Sequence, residues 1–277
     1  MADPAPNTRA AKAGKPLTPE QLLNDPKYDL HPFKDPTKRY VVFSSQRTGS
    51  TYLCRRLCNV KGQFGMPSEY LNPVNVNLLV PRLLPGAGQE GKSVGGGRYL
   101  KALQRARTTD DGYFGIKVQP QQLLGLMNRS NTNALKFLSG FDRVVLLTRR
   151  DKLGQAISGA VAVVTGKWFN DQKDAELSDA QIEAMFPLIA RNLNRYFEEE
   201  QLILNVAKTI QRPVFSMQYE DVAADGEKAF RSLVNFLADG EAVNIEEDES
   251  FAAVPEKPEG KLAARVRERF IQFLKNE

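Results

Sequence analysis

The residues best suited to chemistry stand in one run, Ser44-Ser45-Gln46-Arg47-Thr48-Gly49-Ser50-Thr51. It follows a short apolar stretch, Tyr40-Val41-Val42-Phe43, and precedes a predicted helix reaching about Leu57. A strand that enters a helix through such a loop presents free backbone N–H groups and the positive end of the helix dipole to an anion. Gly49 permits close backbone approach. Ser50 and Thr51 add hydroxyl donors, and Arg47 adds a fixed charge. The run lacks the Gly-Lys-Ser/Thr ending of a Walker A motif, because Ser50 follows Gly49 directly. That disfavours ATP with magnesium as the ligand. The structural alternative is a plain turn in which a Ser or Thr caps the helix.

Other residues could share this chemistry. Lys117 ends an apolar strand, Gly112–Val118. An unpaired lysine is costly to bury there, so it meets either an anion in a site or a carboxylate in a structural ion pair. Trp168-Phe169, beside Lys167, could stack on a sugar or on adenine, or could be core. The two cysteines, Cys54 and Cys58, lie four apart in the predicted helix and read as buried thiols. His31 is the sole histidine, so a Cys/His zinc site is excluded and no metal is expected.

These side chains need a scaffold, and the apolar runs describe one. Tyr40–Phe43, Gly112–Val118, Arg143–Thr148 and Pro213–Tyr219 read as strands separated by helical segments. Near-continuous apolar strands between helices predict an α/β fold: a central parallel sheet flanked by helices. Ser178-Asp-Ala-Gln181 forms a capping box, expected to open a long helix to about Thr209 in which Pro187 could make a kink. Phe230, Leu233, Phe236 and Leu237 predict a shorter helix, and Lys261–Lys275 a terminal one. Glycine-rich Pro81–Gly97 is the candidate mobile loop.

Residues 1–37, punctuated by prolines, read as a flexible extension with a short helix over Thr18–Asn24, and residues 38–277 as one domain. The 42% hydrophobic and 26% charged residues are those of a soluble globular chain. No apolar run is long enough for a membrane span. Met1–Pro16 has no apolar core, so no secretory signal is read and a cytoplasmic location is expected. The net charge of +5 could serve nucleic acid, but no basic run with interleaved aromatics is present. A polyanionic co-substrate explains it better.

The run Val41–Thr51 resembles the 5′-phosphosulfate loop of sulfotransferases that use 3′-phosphoadenosine 5′-phosphosulfate (PAPS). Its form Ser-Gln-Arg-Thr-Gly-Ser-Thr resembles the bacterial family typified by trehalose 2-sulfotransferase. Three further segments match that family in order: Pro67-Ser68-Glu69-Tyr70, Phe114-Gly115-Ile116-Lys117, and Thr148-Arg149-Arg150-Asp151 with Gln155-Ala156-Ile157-Ser158. The match spans roughly Tyr40 to Asp221. It implies a P-loop-like sulfotransferase fold, with Gln46, Arg47, Thr48, Gly49, Ser50 and Thr51 holding the phosphosulfate. It implies that Arg149 and Ser158 bind the 3′-phosphate, a contact an arginine fork makes well. Because Arg150 adjoins Arg149 and no proline follows, the choice between the two arginines stays open, with a surface ion pair to Asp151 or Asp142 as the other role for Arg150.

The resemblance also implies that Glu69 is the general base and places Lys117 near the active site. A carboxylate suits the task, since an acceptor hydroxyl must lose its proton during attack and His31 lies outside the matched region. The alternative is that Glu69 caps a helix starting near Pro67. The implied partner is a carbohydrate or glycolipid hydroxyl, with no nucleic acid. A homodimer is left open. A kinase or a non-catalytic nucleotide-binding module are the other classes, opposed by the missing Walker lysine and by Glu69. Tyr219-Glu220-Asp221 reads as structural.

Overall fold

The computed structural model describes residues 23, 25–26, 29–30, 33–60, 63–86, 96–166, 168, 176–246 and 260–276. Four strands, β1 (Lys38–Ser44), β2 (Tyr113–Val118), β3 (Arg143–Thr148) and β4 (Val214–Gln218), form one sheet in the order β2-β1-β3-β4. Every pairing is parallel. The fold class expected from the sequence is therefore the one observed. From β1 the chain crosses to β2 on one side, and the next strand, β3, lies on the other. The carboxyl end of β1 is thus the switch point of the sheet, where an open α/β fold leaves a crevice.

Burial of both faces follows from residue alternation along the strands. Val41 and Phe43 join one core with Phe114, Ile116, Val144 and Leu146. Tyr40 and Val42 join the opposite core with Leu53, Leu57, Val145 and Leu147. A third cluster is built by Ile157, Ile182, Phe186, Ile189, Tyr196, Val266 and Phe270.

The helices after β1 are α1 (Ser50–Asn59), α2 (Pro73–Leu83) and α3 (Gly96–Arg107). After β2 come α4 (Pro120–Leu126) and α5 (Asn131–Leu138). After β3 come α6 (Lys152–Thr165), α7 (Asp179–Glu183) and α8 (Phe186–Thr209), and after β4 come α9 (Tyr219–Ala224), α10 (Gly226–Leu237) and α11 (Lys261–Asn276). No described helix is long and apolar enough to cross a membrane.

Three expectations need correction. The capping box at Ser178 forms with Gln181, but it opens only the short α7. The long α8 starts afresh at Phe186, and Pro187 lies in its first turn rather than kinking it. Proline suits that place because a first-turn N–H has no helical acceptor. The glycine-rich stretch is not all loop: Pro81–Leu83 finish α2 and Gly96-Gly97 begin α3, while residues 87–95 lie outside the described residues. No helix begins at Pro67, so Glu69 caps none. The nearest helix is α2, capped by the Asn72 side chain on Val74 N–H.

Thr18 and Pro19 lie outside the described residues. Leu23 is helical and buried among Tyr70, Leu79, Tyr99 and Leu103. Asp29 pairs with Arg82 and with the wholly buried Arg107, at 3.3 Å for the latter. Cys54 and Cys58 are free. Only Cys54 is buried as expected; Cys58 is half-buried, on the edge of the same helix. Burial pushes the Cys54 thiol up to about 12, and the Cys58 thiol is also raised, so both are protonated at neutral pH.

Candidate active site

The loop from Ser45 to Gly49 is shaped by its own atoms and by α6. Thr48 Oγ1 donates to the Ser45 carbonyl at 3.0 Å. Gln155 of α6, wholly buried, donates from Nε2 to Ser45 Oγ at 2.8 Å and to the Gln46 carbonyl at 2.6 Å. Arg47 holds a left-handed φ of 62° and Gly49 one of 77°. A side chain at Gly49 is opposed twice, by that φ and by the Tyr219 ring, 3.2 Å from where a Cβ would stand. Gly49 is the N-cap of α1, and no side chain caps this helix. Ser50 and Thr51 lie inside its first turn and Thr48 turns its hydroxyl to Ser45. The plain Ser/Thr cap is therefore not what this loop makes, and the first N–H groups of α1 are left without a side-chain cap, a position where an anion can sit.

Two guanidinium groups stand beside that position. Arg47 Nε donates to Ser158 Oγ at 2.9 Å and Nη1 to the Trp168 carbonyl at 3.0 Å. Among the described residues no carboxylate pairs with it. Burial and then the neighbouring Arg149 charge lower its pKa, with Tyr196 and Tyr219 opposing. A bound anion relieves both penalties. Arg149 donates to the Arg47 carbonyl at 3.1 Å, lies 4.3 Å from the Tyr219 ring centroid, and keeps only a loose 3.9 Å pairing with Asp151. Its Nε is buried without a hydrogen-bond partner.

Arg150 turns the other way. It is exposed and pairs with Glu220 at 3.7 Å and Asp221 at 3.2 Å, not with Asp151 or Asp142. Thus Arg47, Arg149 and Ser158 share one end of the loop, and Arg150 is on the surface. Tyr219 forms a wall behind Gly49 and Arg149, while Glu220 accepts from the N–H groups of Arg150 and Asp151. Trp168 contributes its carbonyl, and its ring is exposed. Lys167 and Phe169 lie outside the described residues.

At the other end, toward β2, Lys117 joins two predicted site residues. Its Nζ lies 2.7 Å from Glu69 Oε1 and 2.8 Å from Thr51 Oγ1, and the residue is 5% exposed. The sequence left open a site anion or an ion pair for this lysine. The structure gives it an ion pair that itself borders the loop. Glu69 also accepts from Gln122 Nε2 at 2.9 Å. Burial raises its pKa, but the Lys117 charge and hydrogen bonds from Lys117, Gln122 and Asn72 outweigh that and hold it below the usual carboxylate range. It is ionised at neutral pH and able to accept a proton.

Several residues here escaped the sequence reading. Gln119 and Gln122, on the segment after β2, hold Gln46 and Glu69, and Gln121 bonds to Glu199 of α8. Arg195 of α8 reaches Gln46 Oε1 at 3.4 Å. The available signal was position: Gln119-Pro120-Gln121-Gln122 leaves the carboxyl end of the strand that carries Lys117. A separate cavity, lined by Lys38, Tyr113, Asp142 and Arg143, sits at the amino ends of the strands. It is remote from the loop.

The arrangement can grip a dianion at the Arg149 end and a second anionic group on the loop, and can take a proton at the Glu69 end. The model of the Stf0 sulphotransferase family matches residues 39–201, which include the loop, Glu69, Lys117, Arg149, Ser158 and Arg195 but not Tyr219, Glu220 or Asp221. Among curated proteins none matches significantly. Solved structures with a similar fold include a sulfotransferase from Alicyclobacillus acidocaldarius, at 15% identity and TM-score 0.45, covering 86% of this chain and 92% of that one. The sulfotransferase domain of the Synechococcus PCC 7002 olefin synthase has 16% identity and TM-score 0.41, covering 86% and 96%. Retinol dehydratase, in a complex with retinol and PAP, has 16% identity and TM-score 0.42, covering 92% and 84%. Likenesses this distant assign no residue a role.

Proposed function

The chain belongs to the Stf0 sulphotransferase family, and from that premise we propose that it transfers the sulfuryl group of PAPS to a hydroxyl of a carbohydrate or glycolipid acceptor in the cytoplasm. One observation supports the nucleotide half most directly: Arg47 and Arg149 stand side by side at an uncapped helix start, and Arg47 has no carboxylate partner among the described residues. Arg149, with Ser158 close by, takes the 3′-phosphate, and the N–H groups of Thr48–Thr51 with Arg47 take the phosphosulfate.

In the reaction Glu69 accepts the proton of the acceptor hydroxyl. The oxygen attacks sulfur in line, and adenosine 3′,5′-bisphosphate (PAP) departs. Negative charge grows on the bridging oxygen, where the loop donors and Arg47 are already placed. Lys117 touches both Glu69 and Thr51, so proton acceptor and loop are held at one side chain's length. The carbohydrate half rests on the likeness to the trehalose-sulfating family and on lining. Gln46, Gln119, Gln122 and Arg195 make the Glu69 end polar, which suits a hydroxyl-rich acceptor.

Incubating the protein with sulfur-labelled PAPS and an extract of its own cells, then identifying the labelled product, tests the reading. Label is expected on a sugar-bearing molecule. Label on a product without sugar overturns the acceptor, and labelling from γ-labelled ATP with magnesium but not from PAPS overturns the nucleotide.

A further inference from the structure

The β2 side of the loop carries a cation, Arg195, whose charge has no part in the proposed transfer beyond making that end polar. Arg195 projects from α8, with its guanidinium carbon 4.6 Å from the centroid of the Tyr196 ring. Its Nη2 donates to Gln46 Oε1 at 3.4 Å, and the same amide donates to Gln119 Oε1 at 3.1 Å. Its Nε lies 3.8 Å from Glu199 Oε1, beyond hydrogen-bond range, and has no hydrogen-bond partner. These contacts occupy a small part of the five donors a guanidinium offers. Nε is buried, but the side chain as a whole is 34% exposed, so the donors left on the terminal nitrogens are the ones a ligand can reach.

Glu199 explains why the group stays there. It is 4% exposed, and its Oε2 is buried without a hydrogen-bond partner. Burial, with a further push from Glu198, raises its pKa to about 7 against the pull of Arg195 and Gln121. At 3.8 Å the Glu199 carboxyl faces the guanidinium without taking a hydrogen bond from Nε, and in its ionised form it attracts the charge.

The two ends of the loop differ in their needs. At the Arg149 end the fixed charges answer to phosphates. At the β2 end the sulfur must lie between the bridging oxygen on the loop and an acceptor oxygen beside Glu69. Lys117 is already committed to Glu69 there, at 2.7 Å. We propose that Arg195 is a further binding residue of the site, donating to the sulfuryl oxygens of bound PAPS, with Gln46 and Glu199 holding it in place. The inference rests on the PAPS reading. Among the described residues it makes Arg195 the cation that distinguishes PAPS from its product PAP.

The test needs no acceptor. Calorimetry with PAPS and with PAP is run on the wild type, Arg195→Gln and Arg195→Lys. Loss of a charge-assisted contact to the sulfuryl group is expected to weaken PAPS binding about tenfold or more in Arg195→Gln. PAP affinity should stay within about twofold, since PAP lacks the sulfuryl group; its retention also shows that the sample is folded. Arg195→Lys keeps a charge without the planar fork and is expected to recover part of the loss. It also carries the comparison if the glutamine variant does not fold. Equal losses for the two nucleotides, or no loss for either, overturn the inference. A wild type that binds neither nucleotide overturns the PAPS reading itself, and the inference with it.

Discussion

At the residue scale the site separates two carboxylates by environment. Glu69 is held ionised by Lys117, Gln122 and Asn72, so it is ready to take a proton at neutral pH. Glu69→Gln keeps the shape and removes the acceptor. Single-turnover transfer should fall about 10²–10⁴-fold with PAP affinity unchanged, and near-normal rates would move the base elsewhere. Glu199 is the reverse case: burial lifts it from an ordinary value of 4.5 to about 7. The folded chain then keeps a proton that the unfolded chain has released. The stability from this group is full below pH 4.5 and is lost as pH rises toward 7. Glu199→Gln cannot titrate. Denaturation from pH 4.5 to 8 should show the variant gaining up to about 3 kcal/mol relative to wild type. Parallel pH curves would show that Glu199 is not perturbed.

At the element scale, the end of β3 sends two adjacent arginines apart, and under the proposed function Arg149 is the one that serves the ligand. Arg149 points to the Arg47 carbonyl over Tyr219, and the adjacent Arg150 points to Glu220 and Asp221 on the surface. Arg149→Ala is therefore expected to abolish the preference for PAP over AMP, a loss of about tenfold or more for a charge-assisted phosphate contact. Arg150→Ala should leave that preference within about twofold, because exposed ion pairs contribute little. Calorimetry with both nucleotides on both variants checks this, and the opposite pattern would reverse the assignment. The packing of α6 and α8 supports the same end of the site. Gly159, next to Ser158, leaves room for the Tyr196 hydroxyl, which a Cβ would meet at 2.6 Å.

At the scale of the whole molecule, two described residues that precede β1, Leu23 and Asp29, are tied into the core. Leu23 lies among Tyr70, Leu79 and Tyr99, and Asp29 bridges Arg82 and the buried Arg107. Arg107 also donates to Met66, whose carbonyl receives the Tyr70 hydroxyl, one residue from Glu69. The ion pairs thus brace the stretch that carries the proposed base. Asp29→Asn withdraws the charge that answers two guanidinium groups. It is expected to cost about 3–5 kcal/mol, read as a lower midpoint in urea denaturation. An unchanged midpoint would mean that Asp29 does not brace the fold.

The strands, the parallel sheet and the turn that joins β1 to α1 were legible in the sequence because each depends on neighbours in the chain. Apolar runs such as Arg143–Thr148 can only be buried on both faces. A Ser/Thr/Gly/Arg turn between strand and helix presents N–H groups wherever it occurs. Pro187 was ambiguous for a local reason: proline suits both a kink and a first turn, and the break after α7 decided between them. Tertiary structure alone decided the rest. Arg149 and Arg150 are adjacent and chemically alike, and only packing beyond the strand end sends one inward. Gln46 meets Arg195 across 149 positions, and Gln155 meets Ser45 across 110. Polar residues on the helices leave no periodic trace of the loop they face. Hydrophobic patterning records which side of an element is buried, while hydrogen-bond partners far apart in the chain are chosen only when the elements close on one another.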